Sequence, residues 1–276
     1  MITLRRWFLA PAAGMLLVLF LAPLAIIAAY SFLVRGAYGG ITWAWTFENY
    51  TRIFDPLYLQ ILLRTFALAA VTTLACLVLS FPLALFISRS GPRKSLYLQL
   101  VMLPFWTSFL VRTYAWMFLL RDTGLINSAL LATGIIHEPL PLLYNNGDVL
   151  LGLVYGHLPF AVLPLYATLE RLDRNLLEAA ADLGARPWAS VTQILIPLCA
   201  PAFRASAVLV FIPCLGAYLT PDLLGGGKTI MAGNLIQNQF TTARDWPFGS
   251  ALSLLLMALT LLALRLSLRK QNEDLL

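Results

Sequence analysis

The sequence predicts an all-α, polytopic membrane protein with about six transmembrane helices, and three observations carry that fold class. Hydrophobic residues fill 60% of the 276 positions and charged ones only 12%, with a mean hydropathy of +0.80, far outside the range of a water-soluble domain. The apolar residues gather into runs long enough to cross the hydrocarbon core as helices, which takes about 20 residues at a rise of about 1.5 Å each. One stretch, Leu177 to Leu198 (LEAAADLGARPWASVTQILIPL), is instead polar and charged, and lies between two such runs. With no internal repeat, heptad or low-complexity segment, residues 1–276 read as a single transmembrane domain.

Spans are expected at about residues 8–33, 58–88, 97–120, 149–169, 200–221 and 247–268. The first follows Arg5 and Arg6 in a start that superficially matches a twin-arginine export signal. Its apolar run to Leu33 is nearly twice the length of a signal-peptide core and five more spans follow, so the arginines read as a cytoplasmic anchor. The second is long enough to tilt or to begin outside the bilayer. With the N-terminus inside, the inner segments hold Arg5, Arg6, Arg89, Arg93, Lys94, Arg171, Arg174, Arg186, Arg265, Arg269 and Lys270; the outer loops hold only Arg35, Arg52, Arg121, Lys228 and Arg244. By the positive-inside rule both termini are cytoplasmic, and so is the connector at 174–198. The outer loops 34–57, 121–148 and 222–246 carry aromatic residues suited to an interface, among them Tyr38, Trp43, Trp45, Phe47, Phe240 and Trp246, and are long enough for short helices lying on the membrane.

Several chemistries drop out. The net charge of +6 comes from basic residues scattered singly at span ends, which is a topology signal rather than a nucleic-acid footprint. Cys76, Cys199 and Cys214 lie in apolar runs without ligand spacing and read as small buried hydrophobes. Gly225 to Thr229 (GGGKT) resembles the end of a phosphate-binding loop, but Asp222 stands where its first glycine is required, no strand precedes it, and the loop lies outside. His157 has no Cys, Asp or Glu at three or four residues' distance and reads as a packed polar group; His137 is in an outer loop. No catalytic or metal site follows. Gly152 and Gly156 form a G-x-x-x-G pair, read as close helix packing.

Charges within apolar runs each require an explanation. Arg64 and Arg204 lie within about two turns of a span end and can snorkel to an interface. Arg112 is deeper, and on one helix it would share a face with Phe105, Phe109 and Trp116, a face expected to turn into the protein, where Arg112 stacks, pairs or lines a substrate path. Asp222, four residues after Tyr218, closes the fifth span; a carboxylate beside aromatic faces suits an organic cation, and the plain alternative is a solvated aspartate after Pro221. Trp106, Arg112, Trp116, Tyr218 and Asp222 are therefore the substrate-path candidates.

Within the connector, Glu178 to Leu183 opens a helix, Gly184 permits a turn, Pro187 suits the first turn of a second helix and Pro197 precedes the next span. The small residues Ala179, Ala180 and Ala181 leave backbone accessible to a groove in another protein. A generic polar loop would not need this shape.

The order E-A-A, three residues, G, nine residues, I-x-L-P resembles the signature of inner-membrane permease subunits of binding-protein-dependent ABC importers. Glu178, Ala179, Ala180, Gly184, Ile194 and Pro197 fit its spacing, with Ile196 in place of leucine. The stretches 103–120, 152–173, 210–226 and 244–251 are similar to the spermidine/putrescine permease group, whose relatives carry other cargo, including iron and phosphonate compounds. The resemblance implies a type I ABC importer permease fold in the bacterial inner membrane and a heterodimer with a second, related permease. It also implies two cytoplasmic ATPase subunits, which bind the ATP and Mg, and a periplasmic substrate-binding protein. The six motif residues would then form the coupling segment seated in the ATPase. An ion-coupled secondary transporter should instead show buried acids and inverted repeats, and a membrane enzyme should show converging titratable groups; neither pattern is present.

Overall fold

The computed structural model describes residues 2–173 and 175–273. Arg174, counted above among the cytoplasmic charges and first in the connector, lies outside the described residues. The architecture is mostly helical. Four helices are long and apolar enough to cross a membrane: α1 (Ile2–Ser31), α3 (Pro56–Arg89), α7 (Asn146–Arg171) and α14 (Trp246–Glu273). They correspond to the first, second, fourth and sixth expected spans. Between α1 and α3 lie the strands β1 (Leu33–Arg35) and β2 (Ile41–Trp45) and the short helix α2 (Glu48–Ile53).

Two spans differ from expectation. The run 97–120 is not one helix but α4 (Lys94–Met102), a 3₁₀ turn at Leu103–Trp106 and α5 (Phe109–Leu120). Pro104 supplies no N–H to continue the ladder, and Thr107 is extended at φ −95, ψ 150, its hydroxyl donating back to the Pro104 carbonyl at 2.8 Å. The run 200–221 forms α11 (Ala200–Leu215), which ends at Gly216, and a separate short helix α12 (Leu219–Leu223). Before α11 the connector forms α8 (Asn175–Asp182), α9 (Pro187–Ser190), a wide π turn at Val191–Leu195 and α10 (Ile196–Leu198). The path Pro187–Leu198 meets α11 at 67° and, taken with it, makes a fifth candidate span.

The segments expected as outer loops, 34–57, 121–148 and 222–246, hold short helices: α2, α6 (Leu125–Ala132) and α13 (Ala232–Thr241). The antiparallel hairpin β1–β2 was not foreseen by an all-α reading. It is tied to the end of α1 by buried Asn49, whose Nδ2 donates to the carbonyls of Ser31 and Leu33 at 3.0 and 2.9 Å.

The chain divides into two compact units, one holding residues up to Gln60 with Leu235–Leu259, the other Ile61–Asn234 with the residues from Thr260 on. In the first, Asp245 caps α14, accepting from the Phe248 N–H at 3.2 Å, and pairs with Arg52 at 2.9 Å. The Arg52 guanidinium lies 4.1 Å from the centre of the Phe248 ring. Burial opposes the Arg52 charge, but the hydrogen bond and charge of Asp245 outweigh it and hold the Arg52 pKa above its ordinary value. In the second unit, Ala84 and Ile87 of α3, Val162, Leu165 and Leu169 of α7, and Leu195, Cys199 and Ala202 form one buried cluster.

Replacing Asp245 with alanine removes a cap and strands Arg52. The expected loss is about 1–3 kcal/mol, read as a lower Tm of the purified protein in detergent; Arg52→Ala, on the more exposed partner, should cost less.

Candidate functional site

The connector folds as the sequence reading expects, and its turn is well defined. The Gly184 N–H donates to Ala181 O at 2.9 Å and the Ala185 N–H to Ala180 O at 2.9 Å, with Gly184 at φ 84. This is a Schellman closure, and it needs a left-handed residue where α8 ends. Nothing lies within 4 Å of a Cβ placed on Gly184, so backbone conformation rather than space selects glycine there. Pro187 occupies the first turn of α9.

One face of this hairpin is anchored and the other is bare. Ala180 is buried, Leu177 packs on the cluster of α3, α7 and α11, and Ile194 lines a cleft with Leu85, Arg89, Leu169 and Leu198. Nearby, Lys94 at the start of α4 pairs with Glu170 at the end of α7. Glu178, Ala179 and Gly184 are exposed, as is Pro197. Leu183 and Trp188, beside the turn, are 89% and 75% exposed. The hairpin therefore carries an apolar tip on a packed base. The motif spacing pointed to Glu178 and Gly184; Leu183 and Trp188, the most exposed large apolar side chains of the connector, were not singled out.

The substrate-path candidates are only partly brought together. Arg112 and Trp116 line one small cleft with Phe109, Thr113, Gly152, Tyr155 and Gly156. Trp116 meets the edge of Tyr155, the ring centres 5.5 Å apart. The guanidinium carbon of Arg112 lies 5.1 Å from the Phe105 ring and 5.5 Å from the Phe109 ring, although Phe105 sits in the 3₁₀ turn rather than on a shared helix. Trp106, at the end of that turn, is 81% exposed and outside the cleft. Tyr218 and Asp222 are exposed near α12 and are joined through backbone, the Asp222 N–H donating to Tyr218 O at 3.1 Å. Tyr155 was missed because aromatic pairing across two helices leaves no mark in one sequence.

Most of the other groups singled out in the sequence have structural roles. A Cβ on Gly152 would lie 2.8 Å from Thr220 and 2.5 Å from Leu224, so this glycine lets α12 reach α7; the packing reading of the G-x-x-x-G pair applies, with Phe109 against Gly156. Buried His157 holds the Leu153 carbonyl through Nδ1 at 2.7 Å. Arg64 donates to the Lys228 carbonyl at 3.2 Å, and Arg204 Nε reaches Ala200 O at 3.4 Å. In the GGGKT stretch the buried Thr229 hydroxyl is engaged by Asn146 Oδ1 at 2.9 Å. Among the described residues no three His, Cys, Asp or Glu side chains converge as a metal site would require.

Residues 56–271 match the family described as "Binding-protein-dependent transport system inner membrane component". The chain is 41% identical over 244 residues to the spermidine/putrescine transport system permease protein PotB of Escherichia coli (strain K12), a match covering 88% of this chain and 89% of that one. It is 40% identical over 243 residues to the protein of the same description from Haemophilus influenzae, covering 87% and 85%. A solved bacterial ABC transporter involved in import of the acidic polysaccharide alginate matches with a TM-score of 0.73 at 18% identity over 96% of both chains, a likeness of fold alone.

At the turn, Gly184→Ala should strain the left-handed position and cost about 1 kcal/mol of local stability, accelerating exchange of the Ala185 amide several-fold in hydrogen-exchange measurements. Gly184→Asn, which tolerates that conformation, should leave exchange close to wild type.

Proposed function

This chain belongs to the family of binding-protein-dependent transport system inner membrane components, and from that premise we propose that it is the permease subunit of an ATP-driven importer that carries spermidine or putrescine inward. The cargo rests on the description borne by its PotB relatives. In this reading the whole chain is one permease domain with six crossings and both termini in the cytoplasm. The broken path from α4 to α5 and the α11 segment supply the crossings that length alone does not count.

The partners are a second, related permease, two ATPase subunits that bind ATP and Mg, and a periplasmic binding protein. The observation that carries the reading is the hairpin of α8 and α9. Its base is packed against the ends of α3, α7 and α11, while Glu178, Leu183, Gly184 and Trp188 stand bare. Seated in the ATPase, such a lever moves the helices it is built on, so two ATPase states become two permease states through differential contacts. Glu178, Ala179, Ala180, Gly184, Ile194 and Pro197 make up this coupling element. Within it, Ala180 and Ile194 face inward, where they hold shape, and Glu178 and Ala179 face outward, where they can meet a partner.

Energy supplied by an ion gradient would call for a free acid within a span. Buried Asp148 comes nearest, but its carboxylate is taken up by the N–H groups of Tyr144, Asn145 and Val149 at 2.6, 3.2 and 2.6 Å.

Glu178→Lys and Gly184→Trp should each lower ATP-dependent uptake of radiolabelled putrescine by about tenfold or more, the scale of a lost coupling energy, at unchanged membrane level. Wild-type uptake by both variants would sink the coupling role. Competition of the wild-type signal by unlabelled spermidine, but not by a phosphonate or ferric compound, is expected for a polyamine carrier; the reverse order would replace the cargo while keeping the family.

A further inference from the structure

Large aromatic side chains gather, without any charge among them, just past the end of α1. Residues 36–47 hold no Asp, Glu, Lys or Arg, and Tyr38, Trp43, Trp45 and Phe47 all stand exposed. So does the whole of β2 from Thr42 to Trp45. The register skips within the hairpin: Leu33 faces Trp45 and Val34 faces Thr42, so Trp43 and Ala44 stand opposite no residue of β1, and such a bulge re-aims side chains. The Trp246 indole donates to the Phe240 carbonyl at 3.2 Å, whereas among the described residues no protein acceptor takes the indole N–H of Trp43 or Trp45.

The patch is held where two spans end. Tyr30, in the last turn of α1, stacks on Trp246, the first residue of α14, with ring centres 6.4 Å apart and planes within 20°. Trp45 pairs with Leu33, two residues past Ser31 where α1 stops, and the Thr46 N–H donates to the Phe32 carbonyl at 2.8 Å. The other end of the hairpin is tied to the residues that lead into α14: the Gly40 N–H donates to Arg244 O at 2.8 Å and Arg35 Nη2 to Ala243 O at 2.7 Å. The hairpin is thus fixed from both sides at the level of the span ends. The apolar stretch Gly14–Ser31 of α1 is itself only 6% buried, so the patch continues a helix surface that its own chain leaves bare.

The chemistry of the patch selects its surroundings. An indole has an apolar body and one N–H, and both are satisfied where hydrocarbon meets the wet, carbonyl-rich layer of a bilayer. Water would leave the rings unshielded. Anionic headgroups attract Lys and Arg near a span end, and this patch offers neither.

We propose that the β1–β2 hairpin is a membrane-interface anchor, whose Trp43, Trp45 and Phe47 enter the uncharged glycerol–carbonyl layer of the bilayer beside α1. The anchor sets the depth at which α1 and the start of α14 sit in the membrane.

The test places a nitroxide on Trp43→Cys and, separately, on Trp45→Cys in the full chain; the natural Cys76, Cys199 and Cys214 are buried. In phosphatidylcholine vesicles, oxygen should collide with either label about threefold or more as often as a water-soluble nickel chelate does, as expected about 5–10 Å into the interface. The ratio should hold when part of the lipid is exchanged for phosphatidylglycerol and when the chain is assembled into the complete importer. Collisions dominated by nickel would put the hairpin in water and overturn the anchor. Exclusion of both reagents, in the lone chain or on assembly, would assign the patch to a protein partner, and dependence on phosphatidylglycerol would assign it to anionic headgroups; either overturns the proposal. A measurement without labels stands beside it: lipids brominated near the carbonyl end of the acyl chain should quench a larger fraction of the wild-type tryptophan emission than of the Trp43→Phe/Trp45→Phe emission, and equal fractions would overturn the anchor as well.

Discussion

The cluster that joins α3, α7 and the helical path into α11 is the constraint on which the proposed mechanism depends. A lever transmits force only if its base cannot slip. Val162, Leu165 and Leu169 follow one another at three and four residues along α7, and Leu195, Cys199 and Ala202 do the same along the facing path. Truncating a large residue in such a packed site costs about 2–5 kcal/mol. The Lys94–Glu170 pair beside it is 45% and 29% exposed, and exposed pairs are worth about 0–1 kcal/mol. Packing, not charge, holds the hairpin in place, so the coupling should survive changes in salt that would weaken a purely ionic seat.

The breaks in the helices have a related logic. In lipid every backbone N–H and C=O must find a partner inside the protein, so irregular backbone at membrane depth persists only where other elements cover it. At the turn Leu103–Trp106, Thr107 meets the Pro104 carbonyl with its own hydroxyl while Leu103, Trp106 and Thr107 stay exposed, and α5 restarts against α12 and α7. Arg112 lies one turn beyond that break. A continuous helix would keep Phe105 on the same face but about 10 Å away along the axis; the break lets the ring stand 5.1 Å from the guanidinium carbon. The same reasoning applies at Gly216, where the end of α11 frees α12 to approach Gly152.

How much of this could be read from the sequence follows from the range of each interaction. Four spans, the connector and its glycine turn were legible because they depend on local composition and spacing: an apolar run reports its own length, and Gly184 with Pro187 marks its own turn. The break in 97–120 was not read, although Pro104 was visible, because hydropathy averages over a window and is blind to one missing N–H. The β1–β2 hairpin escaped for the same reason, its eight strand residues being continuous in polarity with the loop around them. Pairings of distant residues, Trp116 with Tyr155 and Arg52 with Asp245, carry no local signal at all. Asp245 lay within a stretch that matched the family, but its partner 193 residues earlier did not announce itself.

The position of glycine at the connector's turn bears on where transport energy can enter. A side chain on Gly184 would meet nothing within 4 Å, whereas one on Gly152 would run into Thr220 and Leu224. A substitution at Gly152 therefore acts by crowding within the permease, and one at Gly184 acts on the backbone of the lever alone. The GGGKT stretch cannot serve instead, since its Thr229 hydroxyl is committed to Asn146, and the buried carboxylate of α7 is committed to its own cap. In the function proposed above, the driving reaction belongs to the ATPase subunits. The proposed coupling then needs a surface whose contacts differ between two states, and the bare side of the hairpin, whose base packs on the ends of α3, α7 and α11, is the surface the proposal assigns to it.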